Sequence, residues 1–236
     1  MRFETTNWSL IVRARDGSSA AARGALASLC ESYWPPVYAF IRRRGLAPPD
    51  AEDLTQSYFA RFFEKEYLSD FRPEAGRFRT FLLSSVSHFL ANEWDKERAK
   101  KRGGGKHPLS LDAASAEERL HLEPIDRLTP ETLFERQWAA AVLARCLVRL
   151  REEHKGSGGA RFERLKAFLS GDGTRADYAA LAPELGTSEG ALRVAVHRLR
   201  RRFAAVLREE VAHTVASADE VDAEIRFLLE TLRASG

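Results

Sequence analysis

An all-α fold is predicted for this chain from three features of its sequence. Ala and Leu together number 63 against 15 for Val and Ile, so strong helix formers far outnumber the β-branched residues that favour strands. Apolar residues recur at three- and four-residue spacing through most of the length. Glycine and proline gather in short breaks between those stretches. The 236 residues are 44% hydrophobic and 30% charged, which suits one large domain or two small ones and excludes wholesale disorder. Two small helical domains joined by a flexible linker, the second a helix-turn-helix, are expected.

The first periodic stretch holds Leu26, Leu29, Tyr33, Val37, Phe40 and Ile41, with Pro35-Pro36 expected to bend or divide it. Gly45-Leu46-Ala47-Pro48-Pro49 is a stop signal. Asp50 is expected to cap the next helix, with Glu52 and Asp53 in a first turn where the macrodipole favours acids. Leu54, Tyr58, Arg61-Phe62 and Lys65 continue that helix, and Phe59 and Phe63 widen its apolar stripe. After a break over residues 69–76, Phe78, Leu82, Val86, Phe89 and Leu90 mark a third helix that runs through Trp94 into a basic tail ended by Gly103-Gly104-Gly105. The stretch from there to about Leu128 is acidic and weakly periodic, as a linker is. Thr129-Pro130-Glu131 starts a helix over residues 131–153, with Thr129 as N-cap and Pro130 at the first position. Gly156-Ser157-Gly158-Gly159 breaks it. The expected division is 1–102, an acidic linker 103–130, a second domain 131–212 and an amphipathic extension 213–236.

Within the second domain, Tyr178, Leu181 and Leu185 give a short helix ending at Gly186. Thr187-Ser188-Glu189 restarts a longer one, striped by Leu192, Val196, Leu199, Phe203 and Val206. A short helix, a glycine turn and a longer helix form the helix-turn-helix pattern, whose second helix enters the DNA major groove. Ser188, Glu189, Arg193, His197, Arg198, Arg200 and Arg201 lie off the apolar stripe, where arginine can bond guanine or phosphate and Ser, Glu and His can read base edges. The same pattern also occurs in ordinary helical bundles.

Net charge is +3, but it is unevenly distributed. Residues 96–106 carry six basic and one acidic side chain, and 193–208 carry six basic and none acidic. Residues 107–135 and 209–236 each carry seven acids and two bases. Basic blocks on helices suit a polyanion, nucleic acid above all, and equally a solvated charged face. Cys30 and Cys146 lack metal-ligand spacing, which argues against a zinc knuckle or a disulfide framework and suits a reducing cytosol. No apolar run approaches the roughly 20 residues of a membrane span, and the opening Met1-Arg2-Phe3-Glu4-Thr5-Thr6-Asn7 is unlike a signal peptide. No catalysis, cofactor or metal is expected. Asp50, Glu52 and Asp53 do not converge on one helix face, His88, His197 and His213 are isolated, and no phosphate-binding glycine loop is present.

Taken together, the two halves resemble bacterial sigma factors of the extracytoplasmic-function type, which carry sigma regions 2 and 4. Asp50-Ala51-Glu52-Asp53-Leu54-Thr55-Gln56-Ser57-Tyr58-Phe59 is similar to the family segment that docks on the β′ clamp helices of RNA polymerase, which implies roles for Asp50, Glu52, Asp53, Gln56 and Phe59. Phe78-Arg79-Thr80-Phe81-Leu82 and the helix ending Asp95-Lys96-Glu97-Arg98-Ala99-Lys100-Lys101-Arg102 resemble the part that melts and reads the −10 element. That implies −10 contacts for Arg77, Arg79, His88, Asn92, Lys96, Arg98, Lys100, Lys101 and Arg102. Phe71, Phe78 and Trp94, beside Arg72, are candidates for stacking on extruded bases, with Phe78 also a core candidate. Leu185-Gly186-Thr187-Ser188-Glu189-Gly190-Ala191-Leu192-Arg193 with His197-Arg198 resembles the −35-reading region.

The resemblance implies cytoplasmic partners: core RNA polymerase (β′ clamp helices and β flap), promoter DNA, and an anti-sigma factor or other regulator. The acidic linker residues Asp112, Glu117, Glu118, Glu123 and Asp126 would suit a channel built for nucleic acid. A stand-alone helix-turn-helix regulator and a nucleic-acid-processing enzyme are the competing readings. Two features depart from the family pattern. Its usual aromatic and Ile-Ala-Arg-Asn stretch stands here as Phe81-Leu82-Leu83-Ser84-Ser85-Val86-Ser87-His88, and the chain continues beyond Ala212. There a capping box, Ser217 with Glu220, precedes an amphipathic stripe of Val221, Ile225, Leu228, Leu229 and Leu232, suited to packing on the protein's own body or to a partner.

Overall fold

A computed structural model of the chain describes residues 20–63, 77–100, 128–156, 158–169, 174–215 and 217–234, without the side chains of 20–28, 97–100, 175 and 176. The acidic linker, Phe71, Arg72, Lys101 and Arg102 lie outside the described residues, as do the side chains of Arg98 and Lys100. All regular structure among the described residues is helical. The helices are α1 (Ala20–Arg43), α2 (Pro48–Phe63), α3 (Phe78–Lys100), α4 (Pro130–Glu153), α5 (Gly159–Leu165), α6 (Arg175–Glu184), α7 (Glu189–Ala212) and α8 (Val221–Arg233), with 3₁₀ turns at Lys166–Phe168 and Ala218–Glu220.

The chain divides into two compact units, one formed by residues up to 141 together with 212 onward, the other by 142–211. The second unit starts at 142 where 131 was expected and ends within a residue of the expected 212, and the stretch from 212 onward groups with the first unit. The first half of α4 and all of α8 belong with α1, α2 and α3, because their apolar side chains are buried there. Leu133 clusters with Ala39, Phe134 meets Phe40 edge-on at 6.4 Å, and Trp138 lies 6.3 Å from Phe227 of α8.

In the first unit, α1 continues through Pro35 and Pro36 instead of dividing there. An interior proline costs about 3 kcal/mol in a helix, but Tyr33, Val37, Tyr38, Ala39, Phe40 and Ile41 are all buried around it, and that burial offsets the loss. The helix stops at a left-handed Gly45 (φ 89°), whose N–H donates to Arg42 O at 3.1 Å. Helix α2 begins at Pro48, so Asp50 lies within its first turn rather than at its cap; prolines are tolerated there because the first-turn N–H groups lack helical partners. Tyr58 joins α2 to α3, with its ring 5.5 Å from Phe89 and its hydroxyl donating to Leu82 O at 3.4 Å. Phe62 packs against Phe78, and Phe78 against Tyr33. Phe78 is therefore core.

In the second unit, Thr129-type capping chemistry recurs. Thr174 caps α6 reciprocally with Asp177: Thr174 N–H donates to Oδ2 at 2.6 Å, and Asp177 N–H returns a bond to Oγ1. In the first unit, the expected Thr129 cap of α4 is present, with Thr132 N–H donating to its Oγ1 at 3.1 Å. Helix α6 ends in a Schellman turn. Gly186 is left-handed (φ 59°), its N–H donates to Pro183 O, and Thr187 N–H donates to Ala182 O at 2.9 Å. Only Leu185, Gly186, Thr187 and Ser188 separate α6 from α7. Tyr178 packs on Phe168 at 4.8 Å, while Leu192, Val196 and Leu199 bury the inner face of α7. The far end of α7 is zipped to α4 by charges: Arg145 to Glu210 (3.1 Å), Arg149 to Glu209, and Arg202 to both oxygens of Glu153 (2.8 and 2.5 Å).

Candidate nucleic-acid interface

On α2 the helical phase decides which of the five expected docking residues face outward. Asp50 and Gln56 are exposed and Asp53 is half-buried, all on one side. Glu52 and Phe59 are buried at 1% and 4% exposure, which corrects their assignment to a docking surface. Phe59 stacks on Trp34 at 5.8 Å, and Glu52 accepts a hydrogen bond from Gln56 Nε2 at 3.2 Å. Both sit on the face that α2 turns toward the core.

On α3 the same reasoning separates two sets. Phe78, Leu82, Val86, Phe89 and Leu90 are buried, while Thr80, Ser84, His88 and Asn92 form an exposed stripe at four-residue spacing. Lys96 extends the stripe, although its ammonium is within 3.0 Å of Glu93. Trp94 is half-buried. His88, Asn92 and Lys96 are thus on the exposed side of α3, and Thr80 and Ser84 share it. The signal for those two was available in the sequence, since they lie opposite in phase to the apolar set.

Arg79 requires a correction. It is 6% exposed, so it cannot reach DNA. Its Nε donates to Glu224 Oε1 at 2.6 Å, its Nη1 pairs with Glu135 at 3.3 Å, and its guanidinium lies 3.6 Å over the Phe227 ring and 5.3 Å from Trp138. Arg77 shares the same carboxylate, with Nη1 3.0 Å from Glu224 Oε2. Two arginines and two glutamates therefore close a neutral cluster joining α3, α4 and α8. Burial pushes the Glu135 carboxyl up, against the pull of Arg79.

In the second unit, α7 presents Ser188, Glu189, Arg193, His197, Arg198 and Arg201 on its outer side. Ser188 Oγ accepts from Ala191 N–H at 3.2 Å and so serves as N-cap. The Arg193 guanidinium lies 4.7 Å over the Tyr178 ring and 3.7 Å from Glu189. Arg200, also expected to contact DNA, is instead turned inward: its Nε and Nη2 both donate to Phe168 O, at 2.9 and 2.7 Å. Arg198 meets Arg161 and Arg202 at a cleft of about 410 Å³ floored by Phe162, Leu165 and Leu199. Arg161 escaped sequence reasoning because it stands on α5, outside the two-helix pattern.

Two carboxylates of this unit are held below their usual range by hydrogen bonds. Hydrogen bonds from Arg151 and Lys166 hold Glu163 at about 2, and the bond from Arg202 keeps Glu153 below the usual carboxylate range. Folded-state values below the unfolded ones mean stabilisation that is complete above about pH 4.5 and is lost as pH falls toward about 2. The urea midpoint, followed by circular dichroism, is expected to fall across that window, and Glu163→Gln to shallow the fall. An unchanged profile would show that these exposed pairs contribute nothing. Burial pushes the Cys146 thiol up to about 12 and the Cys30 thiol to about 11, so both stay protonated.

Residues 29–100, most of α1 with α2 and α3, match the family model of Sigma-70 region 2. The match supports a sigma factor and takes in the helices that carry the outward-facing Asp50, Asp53 and Gln56 and the α3 stripe. No curated protein and no solved structure matches the chain. Among the described residues, no helix is long and apolar enough to cross a membrane.

Proposed function

We propose that this chain is a sigma factor of the extracytoplasmic-function type, which binds core RNA polymerase in the cytoplasm and directs promoter-specific initiation. The observation that carries the reading is the Sigma-70 region 2 match over residues 29–100. In this reading Asp50, Asp53 and Gln56 dock on the β′ clamp helices. Thr80, Ser84, His88, Asn92 and Lys96 face the −10 element, and the basic run through Arg98, Lys100, Lys101 and Arg102 neutralises adjoining phosphates. Helices α6 and α7 act as a helix-turn-helix on the −35 element, with the N-terminal turns of α7 in the major groove. Arg198, Arg201 and Arg161 take backbone phosphates, and the second unit also contacts the β flap.

The test is a pull-down of core RNA polymerase with the purified full chain, followed by run-off transcription from fragmented genomic DNA of the source organism. A stable complex and discrete start sites are expected. Failure to bind a competent core would overturn the reading in favour of a stand-alone DNA-binding regulator. Asp53→Ala combined with Gln56→Ala is expected to weaken polymerase binding about tenfold, a loss of about 1.4 kcal/mol, with the urea midpoint unchanged. Phe59→Ala serves as the contrast. Removing a buried ring costs roughly 3–5 kcal/mol of stability, so its binding defect would follow from unfolding.

A further inference from the structure

We propose that Gly190, Ala191 and Val194 form a surface that reads thymine 5-methyl groups in the −35 duplex. The proposal rests on the reading of α6 and α7 as the −35-binding element and names what that element recognises. Its starting point is a side chain in an unfavourable place. Val194 is 50% exposed on α7, although a valine on a helix surface brings neither good helix propensity nor burial. The face that packs the unit is elsewhere, at Leu192, Val196 and Leu199.

Gly190 supplies a second observation. It is exposed in the first turn of α7, and a Cβ built on it would meet nothing within 4 Å. The unit's own packing therefore gives no reason for glycine there, where alanine is the better helix former. Close approach of another molecule to the backbone is the remaining physical use of such a glycine. Ala191, also exposed, is the smallest side chain that still offers a methyl.

The helical phase brings these residues together. Gly190 and Ala191 lie one turn before Val194, with His197 and Arg198 one turn beyond it and Arg201 after those. This side of α7 is apolar and low-profile for its first two turns and basic thereafter. That order matches a recognition helix whose N-terminal part meets base edges while its later turns meet phosphates. Arg193, the charged neighbour in those first turns, is drawn aside over Tyr178. Ser188 and Glu189 flank this patch at the helix start, and at Gly190, Ala191 and Val194 the surface offered is hydrocarbon; the thymine methyl is the apolar group that the major groove presents.

The experiment separates the methyl from every other feature of the base. Randomised duplexes are enriched on the full chain bound to core polymerase, and each thymine of the enriched −35 sequence is then replaced singly by uracil, which lacks only the methyl. At one or two positions uracil is expected to weaken binding about fourfold, as loss of one buried methyl contact does. Val194→Ala is expected to shrink that difference, and Gly190→Ala to weaken binding, each with a urea midpoint that is kept or raised, as alanine on an exposed helix position gives. Indifference to uracil at every position, or discrimination that survives Val194→Ala intact, would overturn the proposal. If no duplex is enriched at the −35 spacing, the −35 reading itself falls and the proposal with it. That outcome is distinct from an enriched duplex that tolerates uracil.

Discussion

Arg79→Ala is expected to destabilise the full chain by about 3–5 kcal/mol, the usual result of removing one partner from a buried ion pair. Glu224 is buried at 0% exposure, and Arg79 supplies its 2.6 Å bond from inside the unit. With Arg79 gone, the ion pair left to Glu224 among the described residues is with Arg77, whose side chain is 32% exposed. The substitution also empties the space between Phe227 and Trp138, where the guanidinium lies over both rings. Glu224→Gln retains the shape and one good acceptor, so a smaller loss is expected from it. Replacing both partners, Arg79→Met with Glu224→Leu, should recover most of the stability, because a buried pair and a well-packed apolar pair are close in energy. Urea unfolding with the m-value compared across variants is the measurement. A loss below about 1 kcal/mol for Arg79→Ala would show that the cluster behaves as a surface pair.

This cluster also shows where sequence reasoning ran out. Capping boxes, glycine stops and apolar phase are local, and they gave the start of α4, the end of α6, and the inner faces of α3 and α7. The partner of Arg79 is 145 positions away, and nothing local marks a glutamate at 224 as buried. In the expected stripe of α8, Leu229 proves 40% exposed, while Glu224 and Val221 take the inner face with Leu228. Membership of a motif misled in the same way. Glu52 and Phe59 lie within the docking segment, but their phase is that of Thr55, Tyr58 and Phe62, all buried. The exposed phase runs instead through Asp50, Asp53, Gln56, Ser57 and Ala60. Proline propensity failed at 35 and 36 for a third reason, because dense burial around α1 outweighs a local penalty.

Three neighbouring arginines of α7, Arg198, Arg200 and Arg201, give the sharpest functional contrast. Arg198 and Arg201 are exposed with no ion pair among the described residues, whereas Arg200 turns Nε and Nη2 onto Phe168 O. Arg198→Ala combined with Arg201→Ala is expected to weaken −35 duplex binding by roughly 3 kcal/mol, at about 1.5 kcal/mol for each hydrogen bond to a charged group. The slope of log K against log salt should fall by about 0.9 for each phosphate contact removed, so about 1.8 for the pair. The loss should be similar for all duplex sequences, since phosphates carry no base identity. Loss confined to one sequence would reassign one of the two to a guanine edge. Arg200→Ala should leave the salt slope unchanged. Its effect should appear as lower stability, because the Phe168 carbonyl then loses both donors and the packing of Phe168 on Tyr178 beneath Arg193 is loosened. A drop in salt slope for Arg200→Ala would instead mean that its bonds to Phe168 break on contact with DNA, and that its side chain turns outward to a phosphate.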